Sequence, residues 1–452
     1  MHPLLILLIG IGVVVLAIGV FRLHAFLALI LASIAVAAVT EPATIGQSIA
    51  EGFGTMCGKV GIVIAMAAII GKCLLDSGAA ERIVLGIRNL FGDKRLSPAF
   101  ASSSFVLGIP VFFDTVFYLL MPLGRAAARR TGKNYLLLVL SIVAGATMAH
   151  SLVPPTPGPL LVAESLGVPF LQMVVAGLIV GAFTVTCGLC YAHWANRKWD
   201  IPLRASDMDN AETPELDPAK LPSLLLSLLP ILLPLPLLAG ATAVDFAFGL
   251  DKNRPEDFIV PVWAQILEIL GNKNVALTIA ALAGIYLLVR QKSREELPSA
   301  IQSALSSGGV IILITAAGGA FGIIIKENSG LIEWLQNISP DAKLLILPIA
   351  FGVTTLVRIA QGSATVAMVT AISIVSGLAQ DLPFNPVYLA LAIGCGSKPI
   401  PWMNDSGFWI ISRMSGMTTV ETLKTASVMM SLMGFAGLPV VMIGAWLLPM
   451  SG

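Results

Sequence analysis

Hydrophobic residues run through this chain in long blocks, and polar residues are largely confined to the gaps between them. A membrane-spanning helix needs about 20 mostly apolar residues, whereas strands of a membrane barrel would show short alternating segments. The pattern therefore predicts an all-α polytopic membrane protein. The predicted spans are 3–20, 23–39, 56–75, 135–152, 169–193, 222–246, 274–290, 309–326, 386–397 and 423–448.

Two further apolar stretches carry polar residues and helix breakers at their centres. Residues 98–124 contain Gly108-Ile-Pro-Val-Phe-Phe-Asp114, and residues 343–378 contain Arg358-Ile-Ala-Gln-Gly-Ser-Ala-Thr365. Polar, non-helical backbone is tolerated at membrane depth only where protein buries it or where it lines a cavity. Each stretch is therefore predicted to be a re-entrant hairpin of two half-helices, with its polar tip inside the protein.

Two predicted helices are broken midway. The segment 135–166 is interrupted by Val153-Pro-Pro-Thr-Pro-Gly158, and the segment 386–415 is interrupted from Ser397 to Gly407. In transporters, half-helix ends and freed backbone groups at such breaks bind the substrate. The two hairpin tips and the two breaks, called the four interruptions below, are therefore the predicted location of the site.

A weak internal repeat pairs the four interruptions, because three short motifs recur at offsets of 252, 250 and 249 residues. They are Asp76-Ser-Gly with Asn328-Ser-Gly, Asp114-Thr-Val with Ala364-Thr-Val, and Thr156-Pro-Gly with Asp405-Ser-Gly. Each half holds five predicted crossings and one hairpin, and an odd number of crossings turns the second half upside down. We predict a first inverted repeat over 1–194, a cytoplasmic linker over 195–221 and a second inverted repeat over 222–452.

Composition and charge agree with a membrane protein. The chain is 56% hydrophobic and only 12% charged, against about 25% charged in a soluble globular protein. Its net charge is +1, and the absence of a basic block gives no reason to expect a nucleic-acid partner. With both termini outside, 18 of the 27 Lys and Arg residues fall on the cytoplasmic side and 5 outside, as the positive-inside rule requires.

The sequence contains no motif for an energy-supplying or catalytic reaction. It has neither a nucleotide-binding P-loop, nor a zinc-protease motif, nor cysteine and histidine at metal-binding spacings. No cofactor, metal site or catalytic residue is therefore predicted, and transport must be driven by an ion gradient or by the gradient of the substrate.

The second hairpin tip offers groups that suit a hydroxylated acid. An arginine such as Arg358 can hold a carboxylate through two parallel hydrogen bonds, or it can be the structural partner of a buried acid such as Asp405. Gln361, Ser363 and Thr365 surround it with donors and acceptors that suit substrate hydroxyls.

The second break offers a similar choice between structure and binding. Asn404, Asp405 and Ser406 begin a half-helix, where Asp and Asn satisfy unpaired N–H groups, and capping explains one of the two but not both. Lys398 lies in the same break. It is either a substrate-binding ammonium or an internal counter-ion of Asp405.

Three titratable residues in or near the interruptions are candidates for carrying a coupling proton. Asp114 stands at the first hairpin tip, and His150 precedes the first break. Ionisable groups at membrane depth are by default functional hypotheses, so Asp114, Asp405 or His150 is expected to load and release the proton. His150 can equally be a hydrogen-bonded core histidine.

Motifs at all four interruptions, in this order and spacing, resemble those of the gluconate permease family, the gluconate:proton symporters of the ion transporter superfamily. The motifs are Gly108-Ile-Pro-Val-Phe-Phe-Asp114, Ser151-Leu-Val-Pro-Pro-Thr-Pro-Gly-Pro159, Arg358-Ile-Ala-Gln-Gly-Ser-Ala-Thr-Val-Ala367 and Asn404-Asp-Ser-Gly-Phe-Trp409, followed by Gly416-Met-Thr and Glu421-Thr-Leu-Lys-Thr425. The resemblance covers nearly the whole chain. It departs at Trp402, where relatives usually carry a histidine.

The resemblance implies proton-coupled uptake of gluconate or a related sugar acid or hydroxy monocarboxylate across a bacterial inner membrane. It also implies an elevator-type motion and a homodimer. It places the substrate among Asp114, Thr156, Arg358, Gln361, Gly362, Ser363, Thr365, Asn404, Asp405 and Ser406. The alternative within the class is a carrier of D-serine, glycerate or another small organic acid, and Lys398 would suit a second negative charge. A passive anion channel and a membrane-embedded enzyme are the alternatives outside the class.

Overall fold

Helices form at nearly every place where the hydrophobic pattern predicts them. The structure is a computed structural model, and within the part of the chain that it describes the regular secondary structure is helical, without strands. It describes residues 3–40, 42–92, 95–204, 221–248, 261–292, 294–328, 344–376, 379, 382–403 and 405–450. Most of the predicted linker therefore lies outside the described residues.

The helices are numbered here in chain order. They are α1 Pro3–Val15, α2 Ala25–Thr40, α3 Ile45–Asp76, α4 Ala79–Phe91, α5 Leu96–Leu107, α6 Phe113–Thr131, α7 Tyr135–Leu152, α8 Pro157–Leu166, α9 Phe170–Lys198, α10 Leu224–Leu232, α11 Pro234–Phe248, α12 Val262–Leu270, α13 Lys273–Gln291, α14 Leu297–Asn328, α15 Ile346–Gln361, α16 Ala364–Val375, α17 Val387–Gly396, α18 Ser406–Ser415 and α19 Thr419–Leu447. A π-helical turn continues α1 to Val20.

Length and composition identify the membrane-crossing helices. Among the described residues, six helical runs are long and apolar enough to cross a bilayer, and the bent pair α10 and α11 makes a seventh. This pair bends by 42°, so the predicted span 222–246 is broken rather than continuous. Pro234 begins α11, and proline has no N–H to continue the helical hydrogen bonding. The protein is therefore a multi-pass membrane protein.

The predicted and observed helix lengths differ where a helix and its apolar stretch end at different residues. Helices α3 and α14 are 32 residues each, because helical backbone continues beyond the apolar stretches 56–75 and 309–326. Helix α17 has only 10 residues, since it is the first arm of a broken helix. Sequence patterning locates the apolar part of a helix better than it locates the helix ends.

Each stretch predicted to be a re-entrant hairpin forms a pair of helices, although the second helix of the first pair continues to Thr131, beyond the predicted end at 124. Helices α5 and α6 are joined by residues 108–112, which include Pro110, and α15 and α16 are joined by Gly362 and Ser363. Gly362 has a φ of +86°, a left-handed conformation that glycine adopts readily and other residues rarely do. The Ser363 side chain accepts a hydrogen bond from the N–H of Val366 and so begins α16.

Helical structure is interrupted in both segments that were predicted to be broken helices, and the two interruptions differ in length. The first break separates α7 from α8 at residues 153–156, and the second separates α17 from α18 at residues 397–405. Pro399 and Pro401 prevent helix formation through the second break. Between them Ile400 has a φ of +54°, which is an unfavourable backbone conformation for a β-branched residue.

The chain packs as two compact units. The first comprises Met1–Gly61, Phe91–Pro214 and Val310–Gly452, and the second comprises Ile62–Leu90 and Glu215–Gly309. All four interruptions belong to the first unit. Each predicted repeat contributes residues to both units, so the units do not coincide with the two halves of the sequence.

Two helices form the centre of the first unit. Nearly every residue of α7 is buried, and all ten residues of α17 are buried. A helix that is apolar on every side is buried on every side. These are also the first arms of the two broken helices, so the breaks begin deep inside the protein.

The hairpins pack against these central helices in the same way in both halves. A Cβ placed on Gly145 of α7 would lie 2.1 Å from the carbonyl oxygen of Ala101 in α5. A Cβ placed on Gly396 of α17 would lie 2.6 Å from the carbonyl oxygen of Phe351 in α15. The two glycines are 251 residues apart and their partners are 250 apart. Both approaches of backbone to backbone require glycine.

The second arms of the broken helices pack across to the hairpin of the other half. Gly158 near the start of α8 faces Met368 of α16, and Gly407 near the start of α18 faces the ring of Phe113 in α6. This exchange brings residues of the two sequence halves together around the interruptions.

Candidate binding site

An ion pair between Arg358 and Asp405 joins the second hairpin to the second broken helix. Arg358 Nη2 donates to Asp405 Oδ2, and the two side chains are 3% and 10% exposed. The other oxygen of the carboxylate, Oδ1, accepts a hydrogen bond of 2.9 Å from the N–H of Gly407. Asp405 therefore caps α18 and pairs with Arg358 at the same time, so both structural roles suggested by the sequence are present.

Arg358 nonetheless has donors that the pair leaves unused. Its Nε and Nη1 are buried and have no hydrogen-bond partner among the described residues. An unpaired buried donor is costly, so such atoms in a native structure call for an explanation such as a missing ligand. The planar donors of a guanidinium match the geometry of a carboxylate. The arrangement can therefore bind an organic acid.

His150 connects the end of α7 to both hairpin tips. Its Nε2 lies 3.2 Å from Oγ1 of Thr365 at the second tip. Its ring makes an edge-to-face contact with Phe112 at the first tip, with the ring centroids 6.0 Å apart. The other ring nitrogen, Nδ1, is buried without a partner among the described residues. His150 thus offers a third unpaired polar atom close to the hairpin tips.

Lys398 is buried in the second break and is 1% exposed. Its ammonium donates a hydrogen bond of 2.8 Å to the carbonyl oxygen of Thr147 in α7. The ammonium also interacts electrostatically with Arg358 and Asp405. The Lys398 ammonium therefore donates its hydrogen bond to a backbone carbonyl and interacts with the Arg358–Asp405 pair only through electrostatics.

Asp114 lies in the first turn of α6, beside the Phe113 ring that packs on Gly407. The carboxylates of Asp114 and Asp405 repel each other electrostatically. The structure thus assembles one group of five ionisable residues from both halves of the sequence, called the ion cluster below. Its members are Asp114, His150, Arg358, Lys398 and Asp405.

The remaining predicted residues have local contacts or lie outside the described atoms. Thr156 Oγ1 donates to the carbonyl oxygen of Val153 at 2.6 Å, inside the first break. Ser406 is the exposed first residue of α18. Gly362 and Ser363 form the turn of the second hairpin, as described above. Asn404 and the side chain of Gln361 lie outside the described part of the structure.

Two contacts near the ion cluster were not predicted. Ser397 Oγ and Ser151 Oγ are hydrogen-bonded at 3.0 Å, which joins the last turn of α7 to the second break. The indole Nε1 of Trp402 donates to the carbonyl oxygen of Ile359 at 2.9 Å, next to Arg358. A serine on an otherwise apolar helix is a usable signal for such a contact, because a buried hydroxyl needs a partner.

A multi-pass membrane protein with buried charges among hairpins and broken helices has the architecture of a solute transporter. The chain belongs to the GntP family of permeases, since the model for "GntP family permease" matches residues 2–447. This confirms the resemblance found in the sequence. Members of the family are permeases and transporters, so this chain is a transporter and not an enzyme.

Individual relatives match over almost the full length. The chain is 31% identical over 440 residues to the gluconate permease of Pseudomonas aeruginosa, covering 96% of this chain and 95% of that protein. It is 29% identical over 441 residues to the Gnt-II system L-idonate transporter of Escherichia coli, with coverage of 96% and 97%. Its fold is similar to the crystal structure of the YdaH transporter of Alcanivorax borkumensis, with a TM-score of 0.65, 12% identity and coverage of 94% and 99%.

Proposed function

We propose that this protein is a proton-coupled carrier that takes up gluconate or a related hydroxylated monocarboxylate across a bacterial inner membrane. The observation that carries the proposal is the buried guanidinium of Arg358, whose Nε and Nη1 have no partner among the described residues. A substrate carboxylate would accept a hydrogen bond from one of these donors. The printed names of the relatives, a gluconate permease and an L-idonate transporter, support a sugar acid.

Hydroxyl-bearing and amide side chains around the guanidinium would bind the polyol part of the substrate. Gluconate and idonate differ only in configuration at a hydroxyl-bearing carbon, so a permissive set of donors and acceptors suits both. The proposed hydroxyl-binding side chains are those of Thr156, Gln361, Ser363, Thr365, Asn404 and Ser406, together with the backbone of Gly362 at the hairpin turn. No redox cofactor or metal is needed for this reaction.

Charge balance in the ion cluster supports coupling to a proton. In the ordinary charge states of their side chains, Asp114 and Asp405 would contribute two negative charges, and Arg358 and Lys398 two positive ones. His150 is counted as a neutral imidazole. A substrate carboxylate would therefore add one uncompensated buried negative charge, which is strongly unfavourable. One proton entering with the substrate restores neutrality.

Asp114 is the proposed carrier of that proton. Asp405 accepts from both Arg358 and the N–H of Gly407, and protonation would weaken both bonds. Asp114 has no such bond to another described residue, so protonating it disrupts less. His150 and Asp405 remain the alternatives, and the same transport measurements distinguish the three.

We also infer that the two halves are inverted repeats and that transport is of the elevator type. The equivalent approaches of Gly145 and Gly396 to the two hairpins, at the offset of the repeated motifs, support the repeat. All four interruptions belong to the first unit, which is the candidate moving domain. The second unit, which contains none of them, is the candidate scaffold and homodimer surface. We infer from the distribution of Lys and Arg that both termini lie outside.

A substrate panel tests the proposal. Purified protein is heated with gluconate, L-idonate, glycerate, D-serine and glucose, and the first two are expected to raise the melting temperature. Stabilisation by none of the aldonates would overturn the choice of substrate class. Counterflow in proteoliposomes then separates a carrier from a channel, because only a carrier concentrates labelled substrate against unlabelled substrate.

A further inference from the structure

We propose that Trp402 is a positioning residue for recognition of the substrate carboxylate. Its indole N–H fixes the end of α15 that carries Arg358, and it thereby orients the guanidinium before the substrate arrives. The proposal rests on the proposed function, because it concerns how the same site recognises an organic acid. It goes further in assigning part of the affinity for the carboxylate to a side chain that need not touch the substrate.

The indole of Trp402 bonds to the second hairpin one residue away from Arg358. Its Nε1 donates a hydrogen bond of 2.9 Å to the carbonyl oxygen of Ile359. Ile359 lies in the last turn of α15, which ends at Gln361, and carbonyls in the last turn of a helix are available to donors from outside the helix. The bond therefore holds the backbone at the base of the Arg358 side chain against the second break.

Two further hydrogen bonds complete a closed set of contacts through Arg358. At the far end of its side chain, Nη2 donates to Asp405 Oδ2. The N–H of Asp405 in turn donates to the carbonyl oxygen of Trp402 at 2.9 Å, so both anchoring residues belong to one turn of the break. Arg358, Ile359, Trp402 and Asp405 are called the four-residue clamp below. The clamp holds the arginine at its backbone and at its guanidinium.

The second break is itself attached to other helices, so the clamp has a firm support. The N–H of Ile400 donates to Oγ of Ser431 in α19 at 2.8 Å. The indole Nε1 of Trp409 in α18 donates to the carbonyl oxygen of Met403 at 2.7 Å. Neither of these two contacts reaches α15, whereas the bonds of the clamp do. The clamp therefore transmits the fixed position of the break to the arginine.

Holding both ends of a long side chain lowers the cost of binding. An arginine that is ordered only when a ligand arrives loses side-chain freedom, and this loss is subtracted from the binding energy. A planar guanidinium also requires its donors to be aligned with the carboxylate. In the clamp, Nε and Nη1 of Arg358 are buried and have no partner among the described residues. Trp402 therefore contributes to affinity by ordering these donors in advance.

The test compares Trp402→Phe with Trp409→Phe, since each change removes one indole N–H and keeps an aromatic ring. The two indoles are closely matched, because they are 39% and 38% exposed and each donates to a backbone carbonyl. Titration calorimetry is expected to show a loss of gluconate affinity of about three- to tenfold for Trp402→Phe, the effect of one side chain that must be ordered on binding. Trp409→Phe is expected to bind gluconate as the wild type does.

A neutral analogue separates positioning of Arg358 from a general loosening of the site. Gluconamide keeps the hydroxyls of gluconate but replaces the carboxylate by an uncharged amide, so it cannot form a charge-assisted bond with the guanidinium. Competition against labelled gluconate gives the preference for gluconate over gluconamide. Trp402→Phe is expected to reduce this preference by the same factor as the affinity. An unchanged affinity for gluconate would overturn the proposal, and so would an equal loss for both compounds.

A stability measurement tests the clamp without any substrate. If the four residues act as one unit, opening the clamp at Asp405 should remove most of the contribution of the Trp402 bond. Trp402→Phe is therefore expected to lower the melting temperature of the wild type and to lower that of Asp405→Asn by much less. Trp409→Phe should cause the same shift in both backgrounds.

Equal shifts by Trp402→Phe in the two backgrounds would overturn the proposal. The proposed function fails separately, if neither gluconate nor any other aldonate stabilises the wild type.

Discussion

Arg358 of the second hairpin and Asp405 of the second broken helix form an ion pair in which both side chains are almost fully buried. Removing one partner of such a pair is strongly destabilising, whereas removing both is often close to neutral. The structural and the substrate-binding contributions of Arg358 can therefore be measured separately.

Arg358→Met is expected to lower the free energy of unfolding by about 3–5 kcal/mol, because it leaves the Asp405 carboxylate buried without its partner. It is also expected to abolish gluconate binding. The double variant Arg358→Met with Asp405→Asn should recover much of the stability and none of the binding. Thermal unfolding and titration calorimetry measure the two effects. Gluconate binding by the double variant would assign Arg358 a structural role only.

Asp114→Asn is expected to separate substrate exchange from proton coupling. Counterflow of labelled gluconate should continue, because during exchange the carrier crosses the membrane in both directions with substrate bound and does not have to release a proton. Accumulation driven by an inward proton gradient should be lost, because the amide cannot release a proton.

Glu51→Gln is the control for Asp114→Asn, since Glu51 is an exposed acid on α3 whose carboxylate accepts a hydrogen bond from Gln47. It should leave both activities unchanged. Proton-driven accumulation by Asp114→Asn at the wild-type level would move the coupling role to Asp405 or His150.

Gly145→Ala and Gly396→Ala are expected to destabilise the protein in both halves, by about 1–3 kcal/mol each, as overpacking does. Their methyl groups would lie within 2.1 and 2.6 Å of backbone oxygens. Gly54→Ala is the control, because no atom lies within 4 Å of a Cβ there. It should be neutral or stabilising by up to about 1 kcal/mol, since alanine favours the helix. Thermal shift in detergent compares the three, and a similar loss for Gly54→Ala would contradict the packing argument.

Arg204→Ala is expected to cost only about 1 kcal/mol of stability, because the ion pair that it removes is partly exposed. Arg204 Nη1 and Nη2 donate to the two carboxylate oxygens of Glu421 at 2.6 and 2.7 Å, and Nη1 also donates to Gly416 O. The hydrogen bond with Glu421 raises the pKa of Arg204. The guanidinium therefore stays charged at any pH at which the protein is handled.

Arg204→Lys should lose part of this stability as well, since an ammonium cannot make two parallel bonds. Thermal shift at low and high salt measures both variants. A loss as large as that of Arg358→Met would show that exposure does not weaken this pair.

The interruptions could be predicted from the sequence because the residues that break helices are local signals. Pro110, Pro399, Pro401 and the left-handed Gly362 each act on their own backbone. The sequence also predicts the pairing of Arg358 with Asp405 as one of two roles for this arginine, since a deeply buried arginine in an apolar segment needs an acid. Their use by a substrate remains a prediction.

Contacts between distant residues could not be predicted, because no local pattern specifies which backbone atom a side chain will reach. The bond from Lys398 to the Thr147 carbonyl is one case, and the bond from Trp402 to the Ile359 carbonyl is another. The hydrophobic pattern also does not predict which segments pack together, since each of the two compact units combines segments from both halves of the sequence. The bend between α10 and α11 had a local cause in Pro234, which the prediction of one continuous span overlooked.

If the two halves are the inverted repeats inferred above, the contact between Lys398 and Thr147 limits how a protein of this kind can evolve by gene duplication. In an ancestor made of two identical copies, a residue at their common centre would face itself. Lysine in both copies would set two ammonium groups against each other, and threonine in both would provide no charge. A single positive charge at that centre requires the two copies to differ at this one position. A fused chain can carry different residues in its two halves, whereas a symmetric pair of identical subunits cannot.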